Sequence, residues 1–389
     1  MSGGAGERIA NAAGDPVLLM AREQIDQLIR LLWQRGFCVV GPVLRDGVII
    51  YDELGGIADL PAGWTDHHQP GAYRLSRRAD DALFGYTVGP HSWKQFLHPA
   101  RTRLWQARRE DGDITVTPDD APAPKYAFIG MRACELSAIE IQDRVFQNPQ
   151  FPDTDYMARR ENALFVAVNC TQAGESCFCA SMDTGPQARG GYDIALTEIM
   201  DEDGHRFLVE TGTDRGAGLM AEISTTGADE ADQDIARQAV ARAASQMGRT
   251  LDTHGIKELL QSNPDHPRWD DVASRCLTCA NCTMVCPTCF CTSVEDVTAL
   301  EGDHAERWRR WDSCFTMDFS YIHGGSVRSE PKSRYRQWMT HKLANWIDQF
   351  GSSGCVGCGR CITWCPAGID ITEEVAAIRA GDSKEESAT

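Results

Sequence analysis

KYAFIGMRACELSAIEIQDRVF, residues 125–146, followed by NALFVAVNC, residues 162–170, decides the first half of the fold. KYAFIG (125–130) is a short apolar run of the kind that forms a strand buried on both faces, and NALFVAVNC is another. MRACELSAIEIQDRVF (131–146), between them, has the length and composition of a helix. Strand, helix and strand in this order predict a βαβ crossover with two parallel, adjacent strands. Cys134 begins the helix just after the first strand, and Cys170 ends the second. Both are therefore expected at the carboxyl edge of one parallel sheet, where α/β proteins place ligands.

Upstream, residues 1–14 are small and polar and read as a flexible tail. Asp15-Pro16 looks like a capping acid followed by a first-turn proline, so a helix is expected to start there. Ile25, Leu28, Ile29, Leu32 and Trp33 recur at helical spacing until Gly36. FCVVGPVLRDGVIIYDEL (37–54) is two apolar runs around Asp46-Gly47, a hairpin signal. Positions 55–99 are crowded with Gly, Pro and aromatic residues and are expected to be mostly irregular. Downstream, GYDIALTEI (191–199) and HRFLVETG (205–212) read as strands, residues 229–249 as a helix, and IKELLQ (256–261) as the start of another. Asn263-Pro264 through Pro267 marks a domain boundary. The division is an α/β (or α+β) domain at 15–265, a domain at 266–373, and a disordered tail at 374–389. Within the second domain, RYRQWMTHKLANWIDQFG (334–351) places Tyr335, Trp338, Met339, Lys342, Leu343, Trp346, Ile347 and Phe350 on one helical stripe packed on a core.

The formal net charge is −18, which argues against free nucleic acid as a partner. No run of apolar residues is long enough to cross a membrane, and the N-terminus lacks a signal-peptide core. Sixteen cysteines are many for 389 residues. Either an oxidising compartment or metal binding explains such a count. Half of them fall in two dense runs, where neighbours two residues apart cannot all pair as disulfides. A cytoplasmic protein with reduced thiols is the expectation.

The runs are Cys276-x2-Cys279-x2-Cys282-x3-Cys286-Pro287 and Cys355-x2-Cys358-x2-Cys361-x3-Cys365-Pro366. Three thiolates at this spacing wrap one face of a cubane iron–sulfur cluster. The fourth sits a helical turn further on and, in two-cluster proteins, ligates the other cluster. Cys276, Cys279, Cys282 and Cys365 are thus the expected ligands of one [4Fe-4S] cluster, and Cys355, Cys358, Cys361 and Cys286 those of a second. Gly354, Gly357 and Gly359 allow close backbone approach to the second. Zinc prefers separated CxxC pairs, so four cysteines in one run speak against it. The segment from 287 to 354 is expected to be helical, and the whole resembles the α-helical ferredoxin type found in fumarate reductase and in heterodisulfide reductase partners.

Cys134, Cys170, Cys177 and Cys179 are candidates for a third iron–sulfur cluster; the alternative is that they are buried apolar thiols. Cys289, Cys291 and Cys314 either line a cluster pocket or serve a further centre, with a structural role favoured. Cys38 is read as core, and His67-His68 as part of a solvated loop. Neither GxGxxG after a strand nor a P-loop is present, so this chain shows no nicotinamide or flavin site. No catalytic constellation is found.

Together, GPHSWKQFLHPAR (89–101), GMRACELSAIEIQDRVF (130–146), SCFCASMDTGP (176–186), CANCTMVCPTCFC (279–291) and GCVGCGRCITWCPAGIDI (354–371) resemble the β subunit of soluble sulfhydrogenases, a family that includes an electron-transfer component of anaerobic sulfite reductase. The resemblance covers roughly residues 20 to 375. Ala133 departs from it, since proline is the residue expected before that cysteine. The resemblance implies a non-catalytic electron-transfer subunit, relaying electrons between a flavin subunit that exchanges hydride with NAD(P)H and the small and large subunits of a [NiFe] hydrogenase. The competing readings are the sulfite reductase component, a catalytic iron–sulfur reductase, and a zinc-bearing or regulatory binding protein.

Overall fold

The computed structural model describes residues 16–87, 89–119 and 122–386, with side chains as far as residue 381. Its centre is an eight-stranded mixed sheet. From one edge to the other the strands are Thr226–Gly227, Leu18–Ala21, Gly204–Thr211, Ile194–Asp201, Leu164–Val168, Tyr126–Met131, Cys38–Arg45 and Val48–Glu53. The four strands Ile194–Asp201 to Cys38–Arg45 run parallel, and antiparallel neighbours extend the sheet on both sides. Tyr126–Met131 and Leu164–Val168 are parallel neighbours, with Ile129 opposite Val166, and the Ala133–Phe146 helix lies between them in sequence. The βαβ expectation holds because all five residues of Leu164–Val168 and five of the six in Tyr126–Met131 are buried, as a strand covered on both faces must be.

The next crossover is not a helix. Residues 169–193 return from Leu164–Val168 to the parallel strand Ile194–Asp201 as an irregular loop, which carries Cys170, Cys177 and Cys179 at the carboxyl edge of the sheet. On one face of the sheet, Ile25, Leu28, Ile29 and Leu32 of the Gln24–Gln34 helix are fully buried. Each contributes about 1.5–3 kcal/mol by burial.

Four expectations are corrected. The chain after Pro16 enters the sheet as the strand Leu18–Ala21, and the first helix starts only at Gln24, where the Gln24 side chain accepts a hydrogen bond from the Ala21 amide. Asp15 and the 1–14 tail lie outside the described residues. Residues Trp64–Gln69 and Ala72–Arg77 form a hairpin inside the stretch expected to be irregular, and His68 on it is buried against Asp66 (2.8 Å) rather than solvated. The segment between the cysteine runs is not wholly helical. Thr292–Thr298 and His304–Trp311 are strands, and the second pairs with Arg101–Glu110, giving a four-stranded sheet across the expected 265/266 boundary. Finally, the helix Ile371–Glu386 occupies most of the expected disordered tail; Val375 and Ile378 are buried, and the buried Glu374 carboxylate pairs with Arg268 and Arg275.

Candidate iron–sulfur sites

The two cysteine runs fold alike. Each makes a tight loop that leads into a four-residue helix, Asn281–Met284 in one and Arg360–Thr363 in the other. Matching positions in the two loops are left-handed: Thr278 and Ala280 (φ 50° and 65°), Gly357 and Gly359 (φ 64° and 75°). Only the second run uses glycine there, and packing explains why. A Cβ on Gly357 would lie 2.7 Å from the backbone of Phe178 and Cys179, and one on Gly359 would lie 2.3 Å from the Ser176 carbonyl oxygen. The first run has room, since Leu277 is 65% exposed and Cys279 is exposed.

The eight motif cysteines line two adjoining cavities. Cys276, Cys279, Cys282 and Cys365 share the first, which has about 460 Å³ of space between atoms and a wall of mainly apolar side chains such as Phe315 and Ile371. Cys286 lines the second, of about 340 Å³, with Cys355, Cys358 and Cys361. The fourth cysteine of each run is thus carried into the cavity of the other run. Cys361 reaches both cavities and forms part of the wall between them.

The second cavity has donors aimed at its sulfurs. The Gly357 amide donates to Cys355 Sγ (3.4 Å), Lys342 Nζ to Cys286 Sγ (3.3 Å), and Thr288 Oγ1 lies 3.2 Å from Cys286 Sγ. Burial pushes the Cys355 thiol up to about 12 and raises Cys276, Cys282, Cys358 and Cys361 as well. Cys286 goes the other way. A hydrogen bond with Cys289 holds its thiol well below the ordinary value against burial, and the Lys342 ammonium and Thr288 add to this. Thiolates in fours, with amide and ammonium donors to their sulfurs, fit a cubane cluster. Among the described residues no three His, Cys, Asp or Glu side chains are grouped to hold one metal ion. A cubane asks for something else, one thiolate on each of four separate irons.

Cys134, Cys170, Cys177 and Cys179 gather beside the second cavity. Neighbouring thiols, after burial, raise Cys134, Cys177 (to about 12) and Cys179; those neighbours include one another, Cys170 and Cys358. The Phe178 amide donates to the Gly357 carbonyl (2.8 Å) and Thr184 Oγ1 to that of Val356 (2.7 Å), so the Cys177–Cys179 loop is clamped to the second run. Cys289, Cys291 and Cys314 line a separate cavity with Lys342 and His341. Cys38 lies on its strand beside Glu53, with burial raising its thiol to about 11.

The sequence suggests no role for several residues around the sites. Its helical pattern puts Lys342 on an apolar stripe, yet the ammonium is turned inward to Cys286 and Thr288. Lys94 of the HSWK segment reaches the Met284 and Cys289 carbonyls (3.4 and 3.3 Å) and stands over the Trp311 ring; burial lowers it to about 8. Arg360, inside the second run, forms a fully buried ion pair with Glu135 (2.5 Å) of the RACELS segment. A positive residue between motif cysteines is the one available signal for Arg360, and such a residue has an equal claim to be surface.

Two adjoining cysteine-lined cavities in a mixed α/β chain define an iron–sulfur electron-transfer subunit. Family comparison agrees: the 4Fe-4S dicluster domain matches residues 275–369. Sulfhydrogenase 2 subunit beta of Pyrococcus furiosus is 30% identical over 347 residues, covering 88% of this chain and 92% of that protein. The chain belongs to the sulfhydrogenase beta subunit family. No solved structure is significantly similar. No helix among the described residues is long and apolar enough to cross a membrane.

Proposed function

We propose that this chain holds one [4Fe-4S] cluster on Cys276, Cys279, Cys282 and Cys365 and another on Cys286, Cys355, Cys358 and Cys361, and relays single electrons through them. The observation that supports it is the exchange of the fourth cysteines between the two cavities, the arrangement that two-cluster ferredoxin-type motifs require. A bound [4Fe-4S] cluster supplies reversible one-electron storage. The chain's part is to hold the centres close, exclude water and set their electrostatic surroundings. Cys134, Cys170, Cys177 and Cys179 would hold a third cluster. The three groups then lie in a row, with Cys361 between the first and second and Cys358 facing the third.

By its family, the chain would work in the cytoplasm between a flavin subunit that oxidises NAD(P)H and a [NiFe] hydrogenase module of small and large subunits. Partners recovered with the native protein test this part: nickel supports the hydrogenase, whereas sirohaem supports the sulfite reductase reading.

The cluster assignment is tested by iron counting and electron paramagnetic resonance (EPR) on anaerobically purified protein. About eight irons per chain are expected from two clusters, and about twelve with the third. Cys286→Ser should damage the centre of Cys355, Cys358 and Cys361. Damage confined to the centre of Cys276, Cys279 and Cys282 would refute the exchange, and a colourless zinc protein would refute the whole assignment.

A further inference from the structure

The two motif cavities differ sharply in charge. No charged side chain lines the first. The second has the Lys342 ammonium 3.3 Å from Cys286 Sγ, anchored by Thr288 Oγ1 at 2.8 Å. Lys342 is buried, so solvent screens its charge little. Its backbone is fixed as well. Lys342 stands in a single π-helical turn, His341–Asn345, that interrupts the run from Pro331 to Phe350. Such turns often mark functional positions. The Lys342 carbonyl accepts from the Gly354 amide (2.7 Å), and Thr288 Oγ1 donates to the Gly354 carbonyl (2.8 Å), tying the lysine to the start of the second run.

We propose that Lys342 is a positioning residue that raises the reduction potential of the centre held by Cys286, Cys355, Cys358 and Cys361, selectively over the centre held by Cys276, Cys279, Cys282 and Cys365. This rests on the cluster assignment above. Reduction adds one electron, and so one negative charge, to a centre already ringed by thiolates. A fixed ammonium at the ligand sulfur stabilises the reduced form more than the oxidised one. For a charge at roughly 6 Å and an effective dielectric constant of about 20, Coulomb's law gives a change of roughly a hundredfold in the reduced-to-oxidised ratio. That corresponds to about 120 mV, at 59 mV per tenfold for one electron. The first centre is further away, and the buried cation on its side, Arg334, acts on Cys276 only at a distance, its guanidinium being bonded to the Phe315, Arg328 and Ser329 carbonyls rather than to a ligand sulfur. The effect is therefore confined to one of two otherwise similar centres.

The test is a potentiometric titration of the full-length, iron-loaded protein, followed by EPR, with signals assigned through Cys286→Ser. Lys342→Gln removes the charge but retains a donor for Thr288. It should lower the potential of the Cys286 centre by roughly a hundredfold in ratio, about 120 mV, and move the other centre by less than about tenfold. Lys342→Arg should restore most of the shift. If Lys342→Gln loses iron, Lys94→Met removes the next nearest ammonium on that side and should move the same signal downward by less. An unmoved Cys286 centre with its iron retained, or an equal fall at both centres, overturns the proposal. Iron counted in the unmutated protein separates the two failures: too little iron there sinks the cluster assignment itself, and the tuning role with it.

Discussion

Replacing Glu135 by glutamine removes the carboxylate that pairs with the buried Arg360 guanidinium. Both Glu135 and Arg360 side chains have no exposed surface. Glu135 Oε1 takes the Arg360 bond at 2.5 Å, and Oε2 accepts from the Tyr51 hydroxyl at 2.6 Å and the Arg132 amide at 3.0 Å. An amide nitrogen placed at either oxygen position therefore faces a donor. Breaking one side of a buried pair costs about 3–5 kcal/mol. The bonds from Arg360 to the Gly89 and His91 carbonyls remain, and Cys358 stays beside the cation, but none of these replaces the short carboxylate bond. For a chain this size a guanidinium slope near 6 kcal/mol per molar is reasonable, so the midpoint should fall by roughly 0.5–0.8 M. The assay is anaerobic guanidinium denaturation by circular dichroism, on equally iron-loaded samples. Arg360→Met should destabilise similarly, and the double variant should lose much less than the sum of the two. Additive losses, or a Glu135→Gln midpoint within about 0.1 M of the parent, would refute the idea that this pair couples the RACELS helix to the second run.

Other predictions concern single positions. Ala280→Gly should change stability by less than about 1 kcal/mol, because relief of its left-handed backbone is offset by the loss of a buried methyl group. Gly359→Ala, at the matching position, should disrupt the second run, since its Cβ would lie 2.3 Å from the Ser176 carbonyl; retained iron and an unchanged melt would contradict this. Cys177→Ser with Cys179→Ser in the full chain should lower the iron count by about four if the third centre exists, and leave it unchanged if those thiols only pack. His98 is buried against Phe146 with neither ring nitrogen hydrogen-bonded, and burial lowers it to about 3. Its folded value lies below its unfolded one, so the unfolded chain binds the extra proton. Stability is full above about pH 6.5 and falls by about 1.4 kcal/mol per pH unit as pH drops toward 3. His98→Phe should flatten that acid limb in denaturation midpoints measured from pH 7 to 4.5.

The eight motif cysteines are legible in the sequence because their ligand spacing is local and each run carries three of its own. The βαβ unit is legible because its strands are buried on both faces. What escapes a reading of the sequence has a common cause. The strand His304–Trp311 has no apolar alternation, because arginine and tryptophan stack between it and Arg101–Glu110 instead: Arg101 lies 4.1 Å over Trp308 and Arg307 5.1 Å over Trp105, while in its other neighbour, Thr292–Thr298, the apolar residues Val294 and Val297 are exposed. Charged residues on such a sheet look like loop. Lys342, Arg360 and Glu135 are hidden for the opposite reason. A lone charge on an apolar stripe is more often snorkelling to water than turned inward, and the partner that decides between these lies 56 residues away for Lys342 and 225 for Arg360.

The sheet shared by Arg101–Glu110 and His304–Trp311 has a consequence for biogenesis. Its paired strands are roughly 200 residues apart. A loop of that length is slow to close, and during synthesis at about 5–20 residues per second the later strand emerges many seconds after the earlier one. Until then the edge of Arg101–Glu110 that will receive it stays open. The run ending at Cys365 arrives later still, so the second motif cavity lacks a thiol until Cys361 has been made and the first until Cys365 has. Cofactor loading therefore waits for the second run, and a translation product cut short after the first would carry three of the first cavity's cysteines and one of the second's, unable to complete either.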